Sequence, residues 1–166
     1  RDPLLPLYHD PSDPAARAGM AYASLLSGVC LAQTGLGSVH GLASPLGAFF
    51  PMPHGIACGT LVAQATEVNI AAMQAREPDN PALAAYATVG RLFSQDQQLS
   101  AEAAREALIE RLWRWTQALQ LEPLSAWGVA SADHPRIVAN SRGSSMKTNP
   151  LVLDDDELME ILRRRL

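Results

Sequence analysis

The most informative absence is charge. From Ala18 to Thr66 the chain contains no Asp, Glu, Lys or Arg. A globular protein rarely leaves so long a segment uncharged unless it is buried. Cysteine is scarce as well. The two present, Cys30 and Cys58, form no C-x-x-C pair, so neither a zinc ribbon nor a redox motif is signalled, and free buried thiols of a reducing cytoplasm are the expectation. There is no excess of basic residues: the net charge is −4, which argues against nucleic acid as a partner. The N-terminus RDPLLPLYHDP lacks the charged-then-apolar order of a signal peptide. The apolar run Met20 to Ala32 is too short for a bilayer span, so no membrane association is expected. Segments alternating at period two are missing too, and with them the signature of a sheet. There is no internal repeat and no low-complexity tract.

What is present fits a globular chain of about one domain, 166 residues with 48% apolar content. The punctuation is helical throughout. Residues 1 to 12 carry three prolines and no period, and read as an extended arm. Asp13-Pro14 reads as a cap followed by a first-turn proline, opening a helix to about Gln33 that Gly35 ends. Apolar residues lie nearly all round it, which predicts a central buried helix. A second helix carries His40, with Pro45 inside it opposite Gly41, where a kink or other non-ideal geometry is expected. Phe49 to Pro53 breaks it, and His54 opens a third helix to about Met73, with Gly55 and Gly59 as a smooth packing face. Further helices are expected from Asn80-Pro81 to Phe93 and from Ser100 to about Gln120, the latter burying Ala104, Leu108, Leu112, Trp115 and Leu119. A short helix is expected over 134–141, irregular chain over 143–150, and a last helix from Asp154 with Glu157 as its capping-box partner. Arg163-Arg164-Arg165 reads as a tail complementing the dipole of that helix. The fold class is all-α.

Two of the four histidines, His40 and His54, fall within the uncharged segment. A buried polar group must find a partner. On spacing alone the bland reading, core histidines bonded to backbone carbonyls, outweighs the alternative of a metal pair. His9 and His134 lie in polar, proline-containing surroundings and read as surface residues. Three further features carry little. Gly35-Leu36-Gly37 begins like a dinucleotide fingerprint, but His40 stands where the third glycine belongs. Ser144-Ser145-Met146-Lys147 matches S-x-x-K without its companion motifs. Of the tryptophans, Trp115 reads as core and Trp113 as a residue facing another domain.

The stretch GLGSVHGLASPLGAFFPMPHG, Gly35 to Gly55, resembles the signature of the iron-containing (group III) alcohol dehydrogenases. His40 and His54 have that family's fourteen-residue interval, and Pro53-His54-Gly55 repeats its Pro-His-Gly. The opening Leu-Tyr segment, the small-residue helix ending in GLG, and Thr148-Asn149-Pro150 before an acidic cap resemble the rest of its C-terminal domain, so the likeness covers essentially the whole chain. The resemblance implies a helical bundle over 1–166, with His40 and His54 as two ligands of a divalent metal, Fe²⁺ or Zn²⁺. Ser44 stands where the family usually has a third, site-lining histidine. It further implies that an α/β domain binding NAD(P), with the Asp and His supplying the other ligands, belongs upstream of Arg1. The implied activity is oxidation of a small alcohol, or reduction of an aldehyde or ketone, by hydride transfer in the cytoplasm. The residues that contact the nucleotide are not read from this sequence. With half of the ligand set the isolated chain is expected to hold metal weakly at best and to be inactive, and its bared apolar surface is expected to drive homo-oligomerisation. The alternative is a helical module that keeps the fold without activity.

Overall fold

A computed structural model describes residues 3–166. Among the described residues there are helices and 3₁₀ turns and no strand, as the missing period-two pattern requires. The chain divides into two compact units, residues 1–35 and 36–166.

The first unit pairs a short helix, α1 (Leu4–His9), with a long one, α2 (Pro14–Thr34). The helix α1 replaces the expected extended arm, of which residues 1 and 2 lie outside the described part. Pro3 and Pro6 are compatible with it because both stand in its first turn, where backbone N–H groups have no intrahelical acceptor. Their carbonyls take the N–H groups of Leu7 and Asp10. Asp13 caps α2 as expected, accepting from the N–H groups of Ala15 and Ala16, and Gly35 ends it at φ 90°. Only the burial is wrong. Ala16 is the one buried residue of α2, while Tyr22, Leu25, Leu26, Val29 and Leu31 are exposed, Leu25 at 64%. Cys30 is exposed too, not buried. Apolar residues all round a helix demand cover on every side, and the six residues of α1 cannot supply it within this unit. By length and composition alone α2, longer than the Met20–Ala32 run, could cross a membrane. So could the helix that starts at His54, most of which is buried in protein.

The second unit is built on that helix, α4 (His54–Arg76), against which α3 (Ser38–Phe49), α5 (Ala82–Ser94), α6 (Ala101–Ala118) and α8 (Asp155–Arg163) all pack. A short helix α7 (His134–Ala139) fills in between α3 and α8. The main core joins Leu42 and Leu46 of α3, Leu61 and Met73 of α4, and Leu158, Ile161 and Leu162 of α8. Each such side chain contributes roughly 1.5–3 kcal/mol on leaving water. A smaller cluster lies around Ala63, Leu108 and Leu112, with Trp115 and Trp113 partly buried against it. Helix α3 stays helical through Pro45 to Phe49. Asn80, Ser100 and Asp154 each accept a helix-start N–H, and Glu157 completes the capping box. The irregular stretch at 143–150 contains a 3₁₀ turn, Ser144–Thr148.

Three expectations are overturned here. Of the glycine pair on α4, Gly55 faces open space and only Gly59 is approached closely, by Leu121. The basic tail is bonded rather than merely dipole-complementing. Arg164 pairs with Glu67 of α4 and Glu160, and Arg165 donates to the Thr60 hydroxyl and the Leu121 carbonyl. His134 is not on the surface: it is 4% exposed. Proline at the second position of α7 and the apolar Ile137 and Val138 carry that helix into the core, and the histidine at its start goes with it.

Two predictions follow from this packing. The contact between α5 and α6 is so close that a Cβ on Gly90 would lie 1.8 Å from the Ala104 carbonyl oxygen. Gly90→Ala gains up to about 1 kcal/mol in helix propensity but costs about 1–3 kcal/mol or more in overpacking; a net loss of stability is expected in urea denaturation, and a gain would refute this contact. Burial, then the charge of Arg163, lowers the pKa of His134, opposed by Asp133. The unfolded chain therefore takes up the proton first as pH falls, so stability declines on acidification below about 6.5. His134→Gln should flatten the dependence of the urea midpoint on pH between about 7.5 and about 5.5, and an unchanged slope would rule His134 out as its source.

Candidate metal centre

Four connecting residues, Phe50 to Pro53, decide where His54 goes. His40 lies nine residues before Phe49, the end of α3, a helical distance of roughly 13 Å. Phe50 to Pro53 bring the chain back through a tight turn, in which the Met52 N–H donates to the Phe50 carbonyl at 2.7 Å. Phe50 and Pro53, on either side of it, have extended dihedrals, at φ −131°, ψ 153° and φ −60°, ψ 139°. Met52 anchors this connection in the core at 4% exposure. Pro53 then leaves His54 as the first residue of α4. The two imidazoles finish with ring centroids 5.3 Å apart and planes inclined by 52°.

A third donor joins them. Cys58 lies one helical turn after His54, and its Sγ is 3.5 Å from His54 Nε2. One ligand atom from each of His40, His54 and Cys58 lies within 4.8 Å of the other two. His54 is exposed, whereas His40 and Cys58 are half-buried. Burial, followed by the neighbouring charge of His54, lowers the pKa of His40, which favours the neutral imidazole with a free lone pair. Burial raises the Cys58 thiol pKa. Sequence reading passed over Cys58 as an isolated thiol. Its signal was the four-residue spacing from His54, which puts both side chains on one helix face. Ser44 likewise follows His40 by one turn of α3 and is exposed. His9 is exposed in the first unit, and His134 lies in the core outside this cluster.

A buried polar network fixes the first turn of α3. The Asn149 side-chain carbonyl accepts from the Ser38 N–H at 2.9 Å. Its amide nitrogen donates to the Asn69 carbonyl oxygen at 2.6 Å and to the Leu151 carbonyl at 2.8 Å. Asn69 in turn donates to the Ser38 hydroxyl at 3.0 Å and to the Ala65 carbonyl at 2.7 Å. Thr148 bonds both the N–H and the carbonyl of Leu36. The start of α3, two residues before His40, is thus tied to the middle of α4 through Thr148-Asn149. Space is tight around it: a Cβ at Gly37 would sit 2.8 Å from the Asn149 oxygen, and one at Gly41 would meet Met146 and the Ser141 carbonyl.

The network makes a further prediction. Asn149→Ala leaves the buried Ser38 N–H and Asn69 carbonyl without their partners, at about 1–3 kcal/mol for each. Chemical denaturation should show a loss of that order. A variant as stable as the wild type would mean that the network does not hold α3 in place.

Known proteins resemble this chain along most of its length. Over residues 3–166 the chain matches the Fe-containing alcohol dehydrogenase family, C-terminal. It is 30% identical over 152 residues to the 1,3-propanediol dehydrogenase of Citrobacter freundii, covering 90% of this chain and 37% of that protein. To the lactaldehyde reductase of Escherichia coli K12 it is 29% identical over 127 residues, 75% of this chain and 31% of the relative. Among solved structures, a 1,3-propanediol oxidoreductase superposes with a TM-score of 0.82 at 28% identity, over 93% of this chain and 39% of that one. The alcohol dehydrogenase from Oenococcus oeni shares the fold with a TM-score of 0.86 at 22% identity, over 98% of this chain and 41% of that one. The chain therefore spans under half the length of these relatives, and it belongs to the Fe-containing alcohol dehydrogenase family, matching its C-terminal part.

Proposed function

We propose that this chain is the metal-holding helical part of a metal-dependent, NAD(P)-linked alcohol dehydrogenase. The reaction is oxidation of a small alcohol, or reduction of an aldehyde or ketone, by hydride transfer. The single observation carrying this reading is the juxtaposition of His40 and His54, from two different helices, with ring centroids 5.3 Å apart. The donor chemistry fits a divalent transition metal, for which neutral imidazole is a suitable ligand, Fe²⁺ and Zn²⁺ included. Bound there, such a cation supplies Lewis-acid polarisation of the alcohol or carbonyl oxygen.

The chain's own residues prepare the site. Burial favours the neutral, ligand-competent form of His40. Asn149 and Asn69 hold the helix that presents it. The exposure of His54 leaves the site open to an incoming small molecule. Ser44 offers a small hydroxyl where the family usually has an imidazole, on the turn of α3 after His40. The nucleotide-binding α/β part and the remaining ligands belong to sequence beyond this chain. Its covering of 37% of the 1,3-propanediol dehydrogenase of Citrobacter freundii supports that reading. The exposed apolar side chains of α2 support association with further protein, another part of the enzyme or a second copy. The setting we propose is the cytoplasm.

The test is metal binding. Elemental analysis and titration with Fe²⁺ and Zn²⁺ should find one site per chain, weakened in His40→Ala by at least the roughly 10–100-fold that even outer-shell changes cost. Equal binding by wild type and His40→Ala would favour a helical module that keeps the fold without the activity; no binding by either would mean that the two histidines are half a site completed from beyond this chain.

A further inference from the structure

We propose that Cys58 is a third metal donor, forming with His40 and His54 a His₂Cys site that selects a thiophilic divalent cation such as Zn²⁺. The inference rests on the reading of the two histidines as ligands and goes beyond it by naming the donor and the selectivity.

The geometry carries it. In a tetrahedral zinc site the metal lies about 2.3 Å from sulfur and 2.0–2.1 Å from nitrogen, which puts a sulfur and a nitrogen ligand about 3.5 Å apart. Cys58 Sγ and His54 Nε2 are 3.5 Å apart. That separation matches one edge of such a tetrahedron. All three donors fall within 4.8 Å of one another, so His40 closes the set with a side-chain movement of roughly 1–1.5 Å, smaller than the sweep of one χ rotation. The exposed His54 leaves a way in.

Chemistry sets the selectivity. A thiolate favours zinc over the harder magnesium and manganese, which prefer carboxylate, carbonyl and water oxygens. Binding replaces the S–H bond of Cys58 by a sulfur–metal bond, and the thiol proton passes to bulk water. No oxidant or reductant is involved.

Co²⁺, a spectroscopic stand-in for Zn²⁺, is the probe. The 166-residue chain carrying Cys30→Ser, which removes the exposed second thiol, is titrated with Co²⁺ in the absence of oxygen. A near-ultraviolet sulfur-to-cobalt charge-transfer band should grow to one equivalent. Cys58→Ser, almost isosteric and expected to keep the helical circular dichroism, should abolish the band and weaken Zn²⁺ binding about tenfold or more. Zn²⁺ should also slow alkylation of Cys58 by iodoacetamide, and His54→Ala should remove that protection. Stoichiometric binding without the band, unchanged in Cys58→Ser but lost in His40→Ala, would overturn the thiol ligand and leave the histidine pair standing. Failure of the chain to bind Co²⁺ or Zn²⁺ at all would overturn the three-donor site.

Discussion

The second unit depends on a pair of asparagines. Asn149 and Asn69 tie the first turn of α3 to the middle of α4, with Ser38 as the shared partner. In a low-dielectric interior each of these bonds is strong, and each group left without a partner is costly. The network therefore specifies one position for α3 in a way that the interchangeable leucines around it do not. That position places His40 beside His54. This polar network and the candidate metal centre are thus linked, with Thr148-Asn149 as the remote end.

The site's own chemistry is uneven. Burial pushes His40 towards its neutral form and holds the Cys58 proton on sulfur, while His54 lies open to solvent. One side of the cluster is protein and the other faces outward. That asymmetry suits a centre completed from beyond the chain. It agrees with the modest share of its relatives' length that the chain covers. The bare apolar surface of α2 points the same way, since a monomer rarely exposes so many large apolar side chains on one helix.

Much of this was legible in the sequence because its signals are local. A capping side chain, a proline in a first turn and a terminating glycine act over a few residues, so the starts at Asp13, Asn80, Ser100 and Asp154 stand where their chemistry puts them. The same locality explains the failures. Residues 4–9 form a helix despite Pro6, because a first turn has no use for the missing N–H. An apolar composition all round α2 says that burial is wanted, not that this unit provides it.

By itself the sequence determined the all-helical class, most helix boundaries and the fourteen-residue interval between His40 and His54. The family resemblance paired His40 with His54, and tertiary structure decided how they meet. His40 and His54 come together because the chain turns between Phe50 and Pro53 and α4 packs back on α3. His134 goes into the core because its helix packs against α8. Cys58 gains its place because its turn of α4 carries it to the same point as His40. These are non-local consequences of packing, set by contacts between residues far apart in the chain; only the four-residue spacing of Cys58 from His54 is a short-range pattern.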